Sequence, residues 1–477
     1  MKPSLISALV ALVLALASCK FLAPEITSQD CVVAVPAGST RIFIGIPAHG
    51  GQQSGTSFED PLDGSTAEKF DTILRTISEG QHPTWGTQTN ITPENLIVCL
   101  TSGTFQTDGQ YDWSIVEGHT QGSNLGFTLE KNWKIHGRGP RRTTLQLASF
   151  APRQFVVLNS APINGGSNVV LGTHSSGASG IEISDLTLDA NHDRLPSPGG
   201  LPLNLAGIVL RSNNGGHWIH NVAVIGASGD VGFSDIRFEA FAVQIWGNLE
   251  VLDPTQSTNN LIENVTVSKP GSPVMSGAPA GGVMDGIVVN NAVAEIRNSL
   301  VEDYTIAFGG WAMGPVWFHG NTARNVKYGF NADSFTSAGV IFESNQIIHP
   351  LLYGIVIGGG NGSSIFQNWN VSNNSIQLNQ NNSVGLVLRG QVQDSVFSGN
   401  TIASDGSAKS LIGIWSYPIA TGLANFGNGF QDNRIDNAMS IDFSLDPNFN
   451  GNCRFQNRDL QGKARQDFPD NSSTRCR

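Results

Sequence analysis

The chain has 477 residues, with 38 acidic against 27 basic side chains, a formal net charge of −11, only 14% charged residues and 55 glycines. Phosphate neutralisation needs clustered Lys and Arg, and no basic stripe is visible, so a nucleic-acid partner is excluded. The acidic balance also disfavours a polyanionic ligand unless calcium or a local arginine cluster intervenes, and the abundance of glycine suits stacked strands with tight turns better than a helical protein.

The chain opens with Lys2, an apolar run from Leu5 to Ala17, and the tetrad Leu16-Ala17-Ser18-Cys19. The run is too short to span a bilayer as a helix and has the form of a signal peptide, residues 1–18. The tetrad resembles a bacterial lipobox, which implies cleavage before Cys19 and lipid attachment there. Lys20 rather than Asp follows, which by the same resemblance points to the outer membrane of the cell envelope. The mature protein is thus expected to be exported, held at a membrane by its lipid, and monomeric.

Export permits disulfides. Four cysteines remain, Cys31, Cys99, Cys453 and Cys476, and three pairings are open. Their positions favour Cys453 with Cys476, both in the polar tail, and Cys31 with Cys99 near the other end. A buried free thiol is the alternative for Cys99, which lies in the strand-like segment LIVCL.

Residues 19–60 carry little periodicity and read as tether and lead-in. Ser65 to Ile77 then offers a capping box, Ser65 with Glu68, ahead of Phe70, Ile73, Leu74 and Ile77 on one helical face. An amphipathic helix here would cap the apolar end of a repeat array. The array itself, residues 61–445, is announced by an asparagine returning in one local frame at Asn298, Asn321, Asn345, Asn374, Asn400 and Asn433, with steps of 23, 24, 29, 26 and 33 residues. Asparagine tolerates the left-handed αL region at low cost, and stacked amides can hydrogen-bond from coil to coil.

A second recurrence runs out of phase: AGIVLR (206–211), DGIVVN (285–290), YGFNAD (328–333), YGIVIG (353–358), VGLVLR (384–389) and IGIWSY (412–417). Each shows the period-two alternation of a strand with one buried face. With two strands flanking the asparagine turn, each coil has three short strands. The expected fold is all-β, a right-handed single-stranded parallel β-helix with an N-terminal capping helix. After Phe443 the pattern fades, and 446–477 is expected to be a disulfide-closed polar tail.

At these segments the chain resembles the pectate-lyase-like superfamily, which includes pectate lyases and polygalacturonases. The resemblance implies a polysaccharide partner in a groove along the "GI" strands. Alternation places Arg211, Trp246, Asn290, Asn331 and Trp415 outward as substrate-binding candidates, with Val288 and Ala307 in the same outward column, and Gly309 and Gly358 would leave room for a ligand on either side of Asp333. Tryptophan can stack on sugar rings, and Arg and Asn can bond hydroxyls or a uronate carboxylate. Asp333 is the one carboxylate in that column. With Asp303 it would make the acid pair of a glycoside hydrolase, and with Arg389 it would serve a lyase, whose calcium would be held by carboxylates. The NTD, DD, GHG and RIK motifs of polygalacturonases are not present together, nor are the pectate-lyase signatures. The family's own site residues therefore do not carry over, and a metal site is left undefined. His217, His220 and His349 show no metal-ligand spacing, and His319 reads as structural. Asp189, His192 and Asp193 in LTLDANHDR read as a hydrogen-bonded loop. A non-catalytic glycan-binding or structural surface protein is the competing expectation.

Overall fold

The computed structural model describes residues 29–467 with breaks, the longest at 82–90, 113–122, 149–166, 192–203, 230–237, 269–281 and 443–451. Cys19, Asp333, Cys476, His192 and Asp193 lie outside the described residues.

The fold is a right-handed parallel β-helix. A regular coil has three strands, as in Val316–His319, Thr322–Arg324 and Tyr328–Ala332. The next coil repeats them as Ile341–Glu343, Gln346–Ile348 and Tyr353–Ile357, each paired in parallel with its predecessor. We call the surfaces built by these successive strands the first, second and third faces; the "GI" segments form the third. Inside, Phe318, Phe330, Phe342, Phe366 and Phe397 are fully buried and pack coil on coil, Phe397 stacking on Phe430 at 4.9 Å.

The asparagine ladder stands at the corner between the first and second faces. Asn345 and Asn374 both donate through their backbone N–H and Nδ2 to Oδ1 of the next asparagine, Asn374 and Asn400 respectively, while Nδ2 of Asn374 also reaches Phe342 O at 2.8 Å. The left-handed backbone is not where the sequence placed it. The αL residue is the one before each ladder asparagine: Gly320 (φ +64°), Ser344 (+55°), Asn373 (+56°), Gly399 (+63°) and Asp432 (+54°). Asn298, grouped with the ladder by its spacing, is itself an αL residue at +51°. The ladder place beside it belongs to Ser299, whose N–H donates to Asn321 Oδ1 and whose Oγ accepts from Val265 N–H. Two adjacent positions thus divide two tasks, a tolerated positive φ and a buried amide, that the sequence alone merges into one.

The glycine of the "GI" signature is steric. A Cβ on Gly354 would lie 2.5 Å from Gly385 O and 2.8 Å from Ile376 Cγ2, so the strand bends into the core only where there is no side chain.

The capping helix is Ala67–Ser78, with Phe70, Ile73, Leu74 and Ile77 buried in the common core as its apolar spacing predicts. Its N-cap is Thr66 rather than Ser65: Thr66 Oγ1 accepts from Lys69 N–H at 3.3 Å, whereas Ser65 N–H is engaged by Asp63 Oδ1. Cys31 and Cys99 form a disulfide. Cys453 is also disulfide-bonded, to a partner outside the described residues. The coil pattern runs past the expected end at 445, because Cys453–Phe455 pairs with Gly429–Gln431 and Asn457 extends the ladder from Asn433.

One buried group makes the fold acid-sensitive. His217, just before the first-face strand Trp218–Ile225, is fully buried with no partner for either ring nitrogen, and desolvation pulls its imidazole down to about 3. The folded chain keeps it neutral while the unfolded chain protonates near ~6.5. Its contribution to stability is therefore intact above the unfolded value and is lost as pH falls from there toward 3. Denaturant titrations at pH 7 and pH 4.5 should show wild type losing about 2–3 kcal/mol more than His217→Leu across that interval. Equal losses would contradict the assignment.

Candidate functional site

The third face is a single ladder of strands whose registers define its outward columns. The middle column runs Val209, Gln244, Val288, Gly309, Asn331, Val356, Val387, Trp415 and Asp442. Gly309, not Ala307, stands in line with Val288, and Ala307 belongs to the core. A column nearer the strand ends brings Arg211, Trp246 and Asn290 side by side.

That end of the face is an aromatic and cationic corner. The Arg211 guanidinium lies 4.5 Å from the Trp246 ring centre, Trp246 meets Trp311 edge-on at 5.4 Å, and Asn290 Oδ1 accepts from Trp311 N–H at 3.1 Å. Burial lowers the Arg211 guanidinium to about 9, which leaves it cationic at neutral pH and strengthens its attraction to the indole face. Trp311 lies beyond the alternating strand pattern and for that reason gave no signal in the sequence. Asn331 is half-buried in the middle column, and Trp415, also half-buried, joins Tyr328, Tyr353, Val356, Val384, Val387 and Ile412 in an apolar cluster separate from the core.

Alternation along the strands predicts an open groove; the structure has a covered face. Gln244 and Asn290 are 1% exposed and Val387 0%, although all three point away from the core. Among the described residues of this cover, Gln244 Nε2, Trp246 Nε1 and Arg389 Nε have no acceptor.

Of the catalytic candidates, Asp303 and Arg389 lie among the described residues, and these two stand apart. Asp303 is an αL residue (φ +60°) at the corner where the second face turns into the third, its N–H held by Arg324 O. Arg389 closes the strand Val384–Arg389 at the opposite edge of the third face, three coils further on, roughly 14 Å along the axis alone at the ~4.8 Å strand spacing. A corner residue and a strand-end residue are separated by the width of the face as well. Gly309 and Gly358 are also explained without a ligand: a Cβ on Gly309 would stand 2.2 Å from Asn331 O, and one on Gly358 1.4 Å from Arg389 O.

Among the described residues one cluster has the composition of a metal site, Asp30 with His136 and Glu182. Lys134 Nζ already sits 2.7 Å from Asp30 and 3.1 Å from Glu182, and calcium prefers six to eight oxygens, so the cluster does not fit that ion. Asp189 accepts from Gln146 Nε2 and Asn191 N–H, which fixes it as a turn-supporting residue.

No protein-family model and no curated protein sequence matches the chain. Among solved structures it is similar to the A-module of mannuronan C-5 epimerase AlgE6 of Azotobacter vinelandii, at 13% identity over 83% of this chain and 91% of that one, with a TM-score of 0.47. It is similar to a mutant tailspike protein of E. coli bacteriophage HK620 in complex with pentasaccharide, at 12% identity over 84% of this chain and 66% of that one, TM-score 0.48. It is also similar to endopolygalacturonase I from Stereum purpureum complexed with two galacturonate, at 13% identity over 77% and 93% of the two chains, TM-score 0.40. The likeness is one of fold.

Proposed function

We propose that this chain binds a polysaccharide along its third face, acts on it there through Asp333 and Arg389, and works in the bacterial cell envelope on a lipid carried by Cys19. The supporting observation is the set of buried donors without acceptors. An N–H stripped of water and left unpaired costs about 1–3 kcal/mol, and the hydroxyl and carboxylate oxygens of a sugar chain offset that cost when docking displaces the side chains that cover these donors. Arg211 and Arg389 supply positive charge on a face of an otherwise acidic protein, which suits a uronate. In this reading Asp333 carries the proton transfer and Arg389 faces the uronate carboxylate, an arrangement suited to elimination.

The covered state of the face favours a second reading, in which the glycan is held but not cleaved. Mannuronan and galacturonan make a suitable first panel. Incubation of the purified mature protein with that panel, with and without calcium, should give unsaturated products by absorbance, and Asp333→Asn should abolish them while binding persists. Binding without products or new reducing ends would select the second reading. Unaltered turnover in Asp333→Asn removes that residue from the site, and neither binding nor turnover on any glycan overturns the proposal.

A further inference from the structure

On the first face, away from the donors just described, one recognition unit occurs twice. Trp218 and His220 alternate outward on one strand, with rings stacked at 4.0 Å; Trp218 Nε1 donates to Glu263 Oε1 on the next coil at 3.0 Å, and His220 Nε2 meets Glu182 Oε1 on the preceding coil at 3.1 Å. Trp317 and His319 repeat every element: rings stacked at 4.0 Å, Trp317 Nε1 to Glu343 on the next coil at 3.0 Å, and His319 Nε2 to Glu295 on the preceding coil at 2.9 Å. Arg297 ties the two units together by bonding both Glu263 and Glu295. Trp218, Leu261, Glu295 and Trp317 stand in one register column, so the indoles are three coils apart, about 14 Å at the ~4.8 Å strand spacing.

Both tryptophans remain 39% exposed, the only described aromatic side chains among the exposed large hydrophobics. Their orientation is fixed in advance by a hydrogen bond at one edge and a stacked imidazole, so little freedom is lost when something docks. A unit that recurs by translation along one axis matches a polymer with a translational repeat better than a globular protein. The charges narrow the polymer further: four glutamates (Glu182, Glu263, Glu295 and Glu343) face two cations, Lys134 and Arg297, so a polyanionic chain is repelled.

We infer that the first face is a second glycan platform, on which a neutral, extended pyranose chain lies along the helix axis with sugar faces on Trp218 and Trp317. It stands apart from the third-face reading, and the two can fail independently. The test is fluorescence and calorimetric titration of the mature protein with cellohexaose, xylohexaose and mannohexaose, and with hexagalacturonate as the charged probe. At least one neutral hexasaccharide should bind, Trp218→Ala/Trp317→Ala should weaken it tenfold or more with an unchanged circular dichroism spectrum, and Arg389→Ala should bind it as wild type does. Binding of no neutral hexasaccharide, wild-type affinity in the double variant, or a preference for hexagalacturonate on this face would overturn the inference. So would a dimer in sedimentation that the double variant dissolves, since the surface would then belong to a second copy of the chain.

Discussion

Replacing Asn374 by leucine is expected to destabilise the protein by roughly 3–5 kcal/mol. The side chain takes part in four buried hydrogen bonds: it accepts from Asn345 N–H and Nδ2 at 3.0 and 3.1 Å, and donates to Phe342 O and Asn400 Oδ1 at 2.8 and 2.9 Å. Leucine is close in volume but satisfies none of them. Asn345 N–H and Phe342 O would be left without partners where water cannot reach. The residue just before it makes the control. Asn373 is exposed in the αL region, and glycine there should change stability by no more than about 0.5 kcal/mol. Denaturant unfolding monitored by far-ultraviolet circular dichroism separates the two. Similar losses for both variants would show that the ladder is not held by its amides.

Gly358→Ala is expected to cost about 3 kcal/mol or more, or to prevent folding. Gly358 has φ +114°, and its Cβ would fall 1.4 Å from the backbone oxygen of Arg389, an atom that cannot move without shifting the adjoining strand. Gly406 separates the two contributions. It too has a positive φ, +84°, but nothing lies within 4 Å of its Cβ, so Gly406→Ala carries only the conformational part, about 1–2 kcal/mol. Equal stability of the two variants would contradict the close approach of the coils at Arg389. A stable Gly358→Ala with weakened glycan affinity would restore the idea that this glycine exists to make room for a ligand.

The coil was legible in the sequence because two independent periodicities reported it. Asn345, Asn374 and Asn400 do stand in register, and the "GI" segments do stack on one face. What the sequence conceals is the division of labour within a turn. The αL residue and the ladder residue are neighbours of overlapping composition, so Asn298 and Asn321 look alike by spacing and differ in role. The candidate site was legible only in part. Period-two alternation identified Arg211, Trp246 and Asn290 as outward and adjacent, but it carries no information about cover, so a buried face and an open groove read the same. Nor does it give the width of a face, which stands between Asp303 and Arg389. The paired Trp-x-His units were visible as residues, yet what makes them a unit is the glutamate on each neighbouring coil, and those partners are 24 to 45 residues away.

On this account a sugar chain supplies the acceptors missing from the third face. A crystal structure of the protein with the tightest-binding oligosaccharide of the uronate-containing panel tests it most directly. Sugar oxygens within hydrogen-bond distance of Gln244 Nε2, Trp246 Nε1 or Arg389 Nε are the expected result. An oligosaccharide bound elsewhere, with those three donors still unpaired, would contradict it.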